Sequence, residues 1–340
     1  MEKVPVTILT GFLGAGKTTL LNHVLEVASP LKIAVIENEY GDVGIDGGVL
    51  KKPAEMVFEL NDGCICCTIR EDLVEVLIQL TQHTDRLDHV IVETTGLAEP
   101  EPVLRVFDRP EVASHFSLNG VVTLVDAAHL EATLGDVEAC EEQITYADLL
   151  VLNKVDQAEP DALERVEKEL RRLNPLAHRL RTNFGKLELS ELFELKRVSL
   201  EDLAAESVPA HENEHAHDDH HGHDHHHDHD HDHHHDHGHT HDQSIRSVVV
   251  ELSGEIDVVA LDRWLGKLVR SSSITVLRMK GILALPGDPR RFVFNGVRSA
   301  IDIWPGEPWG EETRQNQVVF IGRDLEQHRL QEEFSACKVS

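Results

Sequence analysis

Residues 11–18 read GFLGAGKT and lie between an aliphatic run at 4–9 and a helical pattern at 18–28. The G-x-x-x-x-G-K-[ST] spacing needs a backbone that curls so its N–H groups face a phosphate, then opens directly into a helix. Gly11, Gly14 and Gly16 permit the curl, and the helix adds its positive N-terminal end. Lys17 is then placed to reach the β- and γ-phosphates, and the Thr18 hydroxyl to face Mg²⁺. Few architectures supply a strand, such a loop and a helix in that order, so this octapeptide constrains the fold more than any other feature.

The surrounding pattern agrees with it. Residues 32–36, 90–92, 120–125 and 149–152 are further short aliphatic runs, separated by helix-length stretches such as 71–81. Strands buried on both faces and alternating with helices predict an α/β P-loop NTPase fold with a mainly parallel sheet. Ligands in such sheets bind beyond the carboxyl ends of the strands. Two further motifs fall at strand ends. Asn153, Lys154 and Asp156 belong to NKVD, in which a carboxylate accepts both guanine N1–H and the 2-amino hydrogens, a donor pair that adenine lacks. Lys154 lies along the base and Asn153 braces the loop. Glu93 opens ETTG, where a strand-end acid serves Mg²⁺ through water and the Gly96 N–H meets the γ-phosphate.

Cys64, Cys66 and Cys67 lie within GCICC, just before TIRE and a helical face of Ile69, Leu73, Leu77 and Leu80. A helix N-terminus lowers thiol pKa, and three crowded thiolates suit Zn²⁺ or Cu(I) with one coordination position left open. The other cysteines, Cys140 and Cys337, read as packed apolar residues. Glu37 ends the second strand and Asp42 follows in a Gly-rich stretch. Each is a candidate extra metal ligand, a water-mediated Mg²⁺ contact, or an ordinary loop acid.

From 211 to 241, 17 of 31 residues are His, interleaved with Asp and Gly and almost without apolar residues. Such a segment cannot form a core and predicts a disordered linker over 206–243, separating a nucleotide domain (1–205) from a smaller α+β domain (244–340). In the latter, 248–252, 274–285, 291–303 and 318–321 read as strands. Leu261, Trp264, Leu265 and Leu268 make one helical face, and a last helix surrounds Leu330 and Phe334. The net charge of −29 argues against nucleic acid as a partner. No apolar run reaches membrane-spanning length, and 1–13 lacks a signal-peptide cleavage site, so a cytoplasmic protein is expected.

Taken together, the P-loop, ENEYGDVGID, GCICC, ETTG, NKVD, the His-rich insertion, RMKGILAL and FNGV resemble the CobW-type metallochaperone GTPases over most of the chain. The resemblance implies a GTPase domain of the nucleotide-dependent homodimer type, a CobW C-terminal domain, slow intrinsic GTP hydrolysis, and delivery of metal, often Zn²⁺, to a client metalloprotein. By position it implies phosphate contacts from Gly11, Phe12, Leu13, Gly14, Ala15, Gly16, Lys17, Thr18 and Thr19. It also implies cargo metal on Cys64, Cys66 and Cys67. Where relatives often carry Glu, this chain has the shorter Asp42. Co²⁺ or Ni²⁺ as the cargo, and a His-rich storage protein regulated by GTP, stand as alternatives. A P-loop kinase would prefer ATP, against which Asp156 argues.

Overall fold

The computed structural model describes residues 3–37, 56–59, 68–134, 138–195, 245–298 and 300–339. Asp42, Cys64, Cys66, Cys67 and the His-rich tract lie outside the described residues. So does the whole of the expected linker, 206–243.

The N-terminal part is built on seven strands, β1 (Val4–Gly11), β2 (Ile33–Glu37), β3 (Met56–Glu59), β4 (His89–Glu93), β5 (Phe116–Asp126), β6 (Leu149–Asn153) and β7 (His178–Arg181). Their order across the sheet is β3-β2-β4-β1-β5-β6-β7, and every pairing is parallel. β1 and β4 are almost wholly buried aliphatic, as strands covered on both faces must be. Helices α1 (Lys17–Val27), α2 (Thr68–Leu80), α3 (Pro100–Leu104), α4 (Pro110–Ala113), α5 (Leu130–Thr133), α6 (Glu138–Tyr146), α7 (Pro160–Leu173) and α8 (Leu189–Phe193) accompany this sheet. In α2, Leu73, Leu77 and Leu80 are buried, as their helical spacing predicts. In α7, Pro160 starts the helix, Asp161 and Arg171–Arg172 match its dipole, and Val166, Leu170 and Leu173 face the core.

Two strands escaped the sequence reading. β3 is only four residues, and β7 reads HRLR with exposed ends and a half-buried middle, so neither carries an aliphatic run. A third difference concerns residues 291–303, expected as one strand. They form a hairpin, β10 (Arg290–Val297) and β11 (Ala300–Pro308), and Arg298 in the turn takes a left-handed φ of 54°. Arginine gives no turn signal, and apolar residues on both sides hide the break.

The C-terminal part has β8 (Arg246–Ser253), β9 (Thr275–Ala284), β10, β11 and β12 (Gln315–Arg323) in an antiparallel sheet ordered β11-β10-β9-β12-β8, with α9 (Val258–Val269) and α10 (Gln327–Ser335). One face of the sheet, with Met279, Leu283, Phe294 and Phe320, packs on Trp264, Leu265, Leu268, Leu330 and Phe334. The opposite face continues the core of the first domain, where Ile282, Val297, Val319 and Ile321 join one cluster with Val4, Phe116 and Tyr146.

A buried charge group is set into that junction. Asp148, between α6 and β6, accepts from Arg278 Nη2, from Lys280 Nζ at 3.1 Å and from the Val121 N–H at 2.9 Å. Burial works to raise the Asp148 pKa, but Arg278, Lys280 and the amide outweigh it and hold the carboxyl below its usual range. Within the nucleotide domain, His89 is buried against the Phe193 ring, with Nε2 2.8 Å from Thr7 Oγ1. Burial lowers its pKa to about 4.

Both groups bind fewer protons folded than unfolded, so stability is complete above their unfolded pKa values and falls on acidification. His89 contributes its loss between about pH 6.5 and 4, and Asp148 below about 3.9. His89→Gln is expected to flatten the upper stage in urea titrations across that range. Asp148→Ala leaves two buried cations without their carboxylate and is expected to destabilise by about 3–5 kcal/mol, measured by the same titration at pH 7.

Candidate functional site

The strand register sets the site. Glu37 pairs with Glu93 across β2 and β4, Leu9 with Glu93 across β1 and β4, Gly11 with Leu124 across β1 and β5, and Asp126 with Asn153 across β5 and β6. Five motif-bearing chain ends are therefore delivered to one edge.

The phosphate loop leaves β1 with Gly11, Gly14 and Gly16 at φ of 138°, 75° and 107°. A Cβ at Gly11 would stand 2.4 Å from Leu124 O, and one at Gly16 2.4 Å from Asn153 Nδ2. Both glycines are thus required by conformation and by space. Ala15 is buried, whereas Leu13 is 60% exposed and Phe12 partly so. Lys17 Nζ donates to Gly11 O at 2.7 Å, placing its charge over the loop. Thr18 donates from Oγ1 to Glu93 Oε1 at 3.3 Å, and Thr19 follows within α1. Glu37 and Glu93 are both buried.

Asn153 joins the phosphate loop to the neighbouring loops. Its Nδ2 donates to Ala15 O at 2.8 Å, and its Oδ1 accepts from the Gly185 N–H at 3.2 Å. Lys154 sits in the left-handed region at φ 60° and donates to Asp126 Oδ2 at 2.8 Å. Burial opposes ionisation of Asp126, but Lys154, His129 and the Ala128 N–H prevail and lower its pKa. The Asp156 side is exposed, and its N–H donates to Asn183 Oδ1 at 3.2 Å.

The structure thus brings together the phosphate loop, Glu37, Glu93, Gly96 and the 153–156 loop. Among the described residues no group of three or more His, Cys, Asp or Glu is arranged to hold a metal. Cys140 and Cys337 are buried, as expected, and burial with nearby Glu141 pushes the Cys140 thiol up to about 11. The donors that meet at Thr18 and Glu93 are hard oxygens, which fit Mg²⁺ rather than a soft ion.

Sequence reasoning missed three contributors. Asp126 holds Lys154. The loop at 182–185 carries Asn183 and the 67%-exposed Phe184 beside Asp156, and it went unseen because β7 did. Buried Gln143 of α6 donates its amide to Gly96 O at 3.2 Å and Ala98 O at 3.0 Å. No local pattern marks a glutamine that acts across 47 residues of chain.

The CobW/HypB/UreG nucleotide-binding domain matches residues 5–181, and the cobalamin synthesis protein CobW C-terminal domain matches residues 245–338. The chain belongs to the CobW family. It is a GTPase with that family's two domains. Curated relatives include the zinc chaperone YjiA of Escherichia coli, 33% identical over 99% of this chain and 100% of the relative. The zinc chaperone CobW of Pseudomonas aeruginosa is 37% identical over 96% and 89%. The crystal structure of Zn(II)-bound YjiA GTPase from E. coli superposes with a TM-score of 0.67 over the whole of both chains, at 26% identity. A Zn(II)-bound E37A, C66A, C67A triple mutant of YjiA gives 0.66 at 27% identity over the same extent. Among the described residues, no helix is long and apolar enough to cross a membrane.

Asn153→Ala removes two hydrogen bonds at a buried position and is expected to loosen the phosphate loop. Fluorescent GDP titration should show binding weaker by about 1–3 kcal/mol, with little change in the fold by circular dichroism.

Proposed function

We propose that this GTPase is a zinc chaperone, which grips Zn²⁺ at Cys64, Cys66 and Cys67 and passes it to a client metalloprotein under control of the bound nucleotide. The observation that carries the proposal is the register pairing of Glu37 with both Glu93, which meets Thr18 at the nucleotide edge, and Glu59, which ends the strand that precedes GCICC. Two further observations support it. The two curated relatives described above are named zinc chaperones. The relative's own numbers for its three replaced residues also coincide with a Glu and two Cys here, Glu37, Cys66 and Cys67.

In this reading Lys17 and the loop amides hold the β- and γ-phosphates, and Asp156 selects guanine beside the Lys154 stem. Thr18 and Glu93 hold Mg²⁺, which when bound neutralises charge on the phosphate oxygens. The Gly96 N–H meets the γ-phosphate. No side chain needs to act as nucleophile, because water attack on phosphate depends on positioning and charge neutralisation. The three thiols directly precede α2, whose N-terminal dipole favours thiolate. Glu37 serves as a further zinc ligand, and Asp42 as another. Leu13 and Leu97, 60% and 52% exposed on the phosphate loop and the turn after Gly96, suit a nucleotide-dependent homodimer.

Asp156→Asn replaces an acceptor of two guanine donors by an amide that donates to a 2-oxo group. Affinity for GDP is expected to fall about 100-fold, the scale of hydrogen bonds lost to a charged acceptor, and xanthosine diphosphate to bind in its place. Equal GDP affinity in the variant would remove Asp156 from base recognition.

The decisive test is a chelator-competition titration of Zn²⁺ on protein lacking residues 211–241, with GDP and then with a non-hydrolysable GTP analogue. An affinity difference of about tenfold, or 1.4 kcal/mol of coupling, that disappears in the Cys64, Cys66 and Cys67 triple Ser variant is the expected result. Equal affinities would overturn nucleotide control. Parallel Co²⁺ and Ni²⁺ titrations show whether the nucleotide dependence is particular to Zn²⁺.

A further inference from the structure

The turn that carries Gly96 is held from two sides. A Cβ at Gly96 would stand 2.7 Å from Leu13 N, so the turn lies directly on the phosphate loop. From α6, Gln143 clamps Gly96 O and Ala98 O, while Thr123 Oγ1 donates to Gln143 O at 2.7 Å and ties that helix to β5. Downstream the turn runs into α3, whose first turn contains Glu101.

The C-terminal domain grips these same two helices. Arg298 donates from Nε to Tyr146 Oη at 2.7 Å, at the end of α6, and from Nη2 to Glu101 on α3. Arg323 Nη2 lies 3.4 Å from Glu142 Oε1, and Arg278 Nη1 donates to Tyr146 O at 3.3 Å. Adhesion between the domains is already supplied by the shared apolar cluster and the buried Asp148 group. Arg298 differs from those contacts. It adopts a left-handed backbone at the β10–β11 turn, an unfavourable conformation for arginine, and its fork joins the two helices that flank the Gly96 turn.

We propose that Arg298 is a positioning residue for GTP hydrolysis. By bridging Tyr146 and Glu101 it fixes α6 and α3 relative to each other and so presets the Gly96 turn for the γ-phosphate. The inference rests on the γ-phosphate role of Gly96 proposed above. It makes the second domain part of the hydrolytic machinery, since a preorganised donor acts only when its support is rigid.

The test uses the full chain. Single-turnover GTP hydrolysis and the affinities for GDP and for a non-hydrolysable GTP analogue are measured for wild type, Arg298→Ala, Arg298→Lys, Glu101→Gln and the Glu101→Gln, Arg298→Ala pair. Arg298→Ala is expected to slow hydrolysis about tenfold and to weaken the analogue relative to GDP, with GDP affinity within about twofold of wild type, as loss of positioning at a distance does. Arg298→Lys restores part of the rate, and the double variant is no slower than the slower single one. An unchanged rate and unchanged analogue-to-GDP ratio in folded Arg298→Ala overturns the proposal, as does a double variant whose losses multiply. If Arg298→Ala does not fold, Tyr146→Phe removes only the hydroxyl. A fall of about threefold supports the role, and a wild-type rate overturns it. Failure of the Gly96 reading appears separately, as an Arg298→Ala defect in rate that leaves the analogue-to-GDP ratio at its wild-type value.

Discussion

Parallel strands buried on both faces must all release their chains at one edge, and the backbone register decides which residues meet there. Leu9, Glu93 and Glu37 fall in line across β1, β4 and β2, and Asp126 pairs with Asn153 across β5 and β6. A shift of one residue in any of these pairings would turn a buried aliphatic side chain toward the opposite layer, so packing of the core and placement of the site are one constraint. Asn153 then converts edge proximity into fixed geometry, because one amide group spans the phosphate loop and the loop after β7.

The junction between the domains follows different physics. Asp148, Arg278 and Lys280 are buried together, and desolvation makes such a group weak as a source of stability but intolerant of losing a member. Its value lies in direction. An apolar interface alone permits sliding, whereas a carboxylate that must satisfy two cations and one amide admits a single docking of β9 on the α6–β6 connection. The alternation in RMKGIL explains how one strand serves both sides. Arg278, Lys280 and Ile282 face the nucleotide domain, and Met279 and Leu283 face the helices.

What was legible in the sequence had a local cause. The glycines at 11, 14 and 16 were readable because their φ values admit little else, and the aliphatic strands because both their faces are covered. Asn153, expected to brace the 153–156 loop, donates to Ala15 O of the phosphate loop. The buried state of Cys140 and Cys337 followed from their isolation. What stayed illegible depends on partners far along the chain. Gln143 and Arg298 carry ordinary polar side chains whose roles exist only once α6, α3 and the β10–β11 turn converge. β7 failed for a physical reason too, since an edge strand with partly exposed polar residues has no buried face to advertise.

The pairing of Glu37 with Glu93 constrains how nucleotide and metal can communicate. Adjacent parallel strands lie about 4.8 Å apart, so two buried carboxylates at matched register positions repel unless a cation or donor compensates each. Thr18 donates to Glu93, linking that carboxylate to the P-loop helix. In the proposed mechanism, Thr18 and Glu93 would hold Mg²⁺ when GTP is bound, and the cation would offset the charge that Glu93 presents to Glu37, so that Glu37 would hold zinc differently in the two nucleotide states. Coupling by charge across one strand spacing is short-ranged and shielded from salt by burial. It therefore predicts that the nucleotide dependence of zinc affinity persists at high ionic strength, where coupling carried by exposed charges would fade.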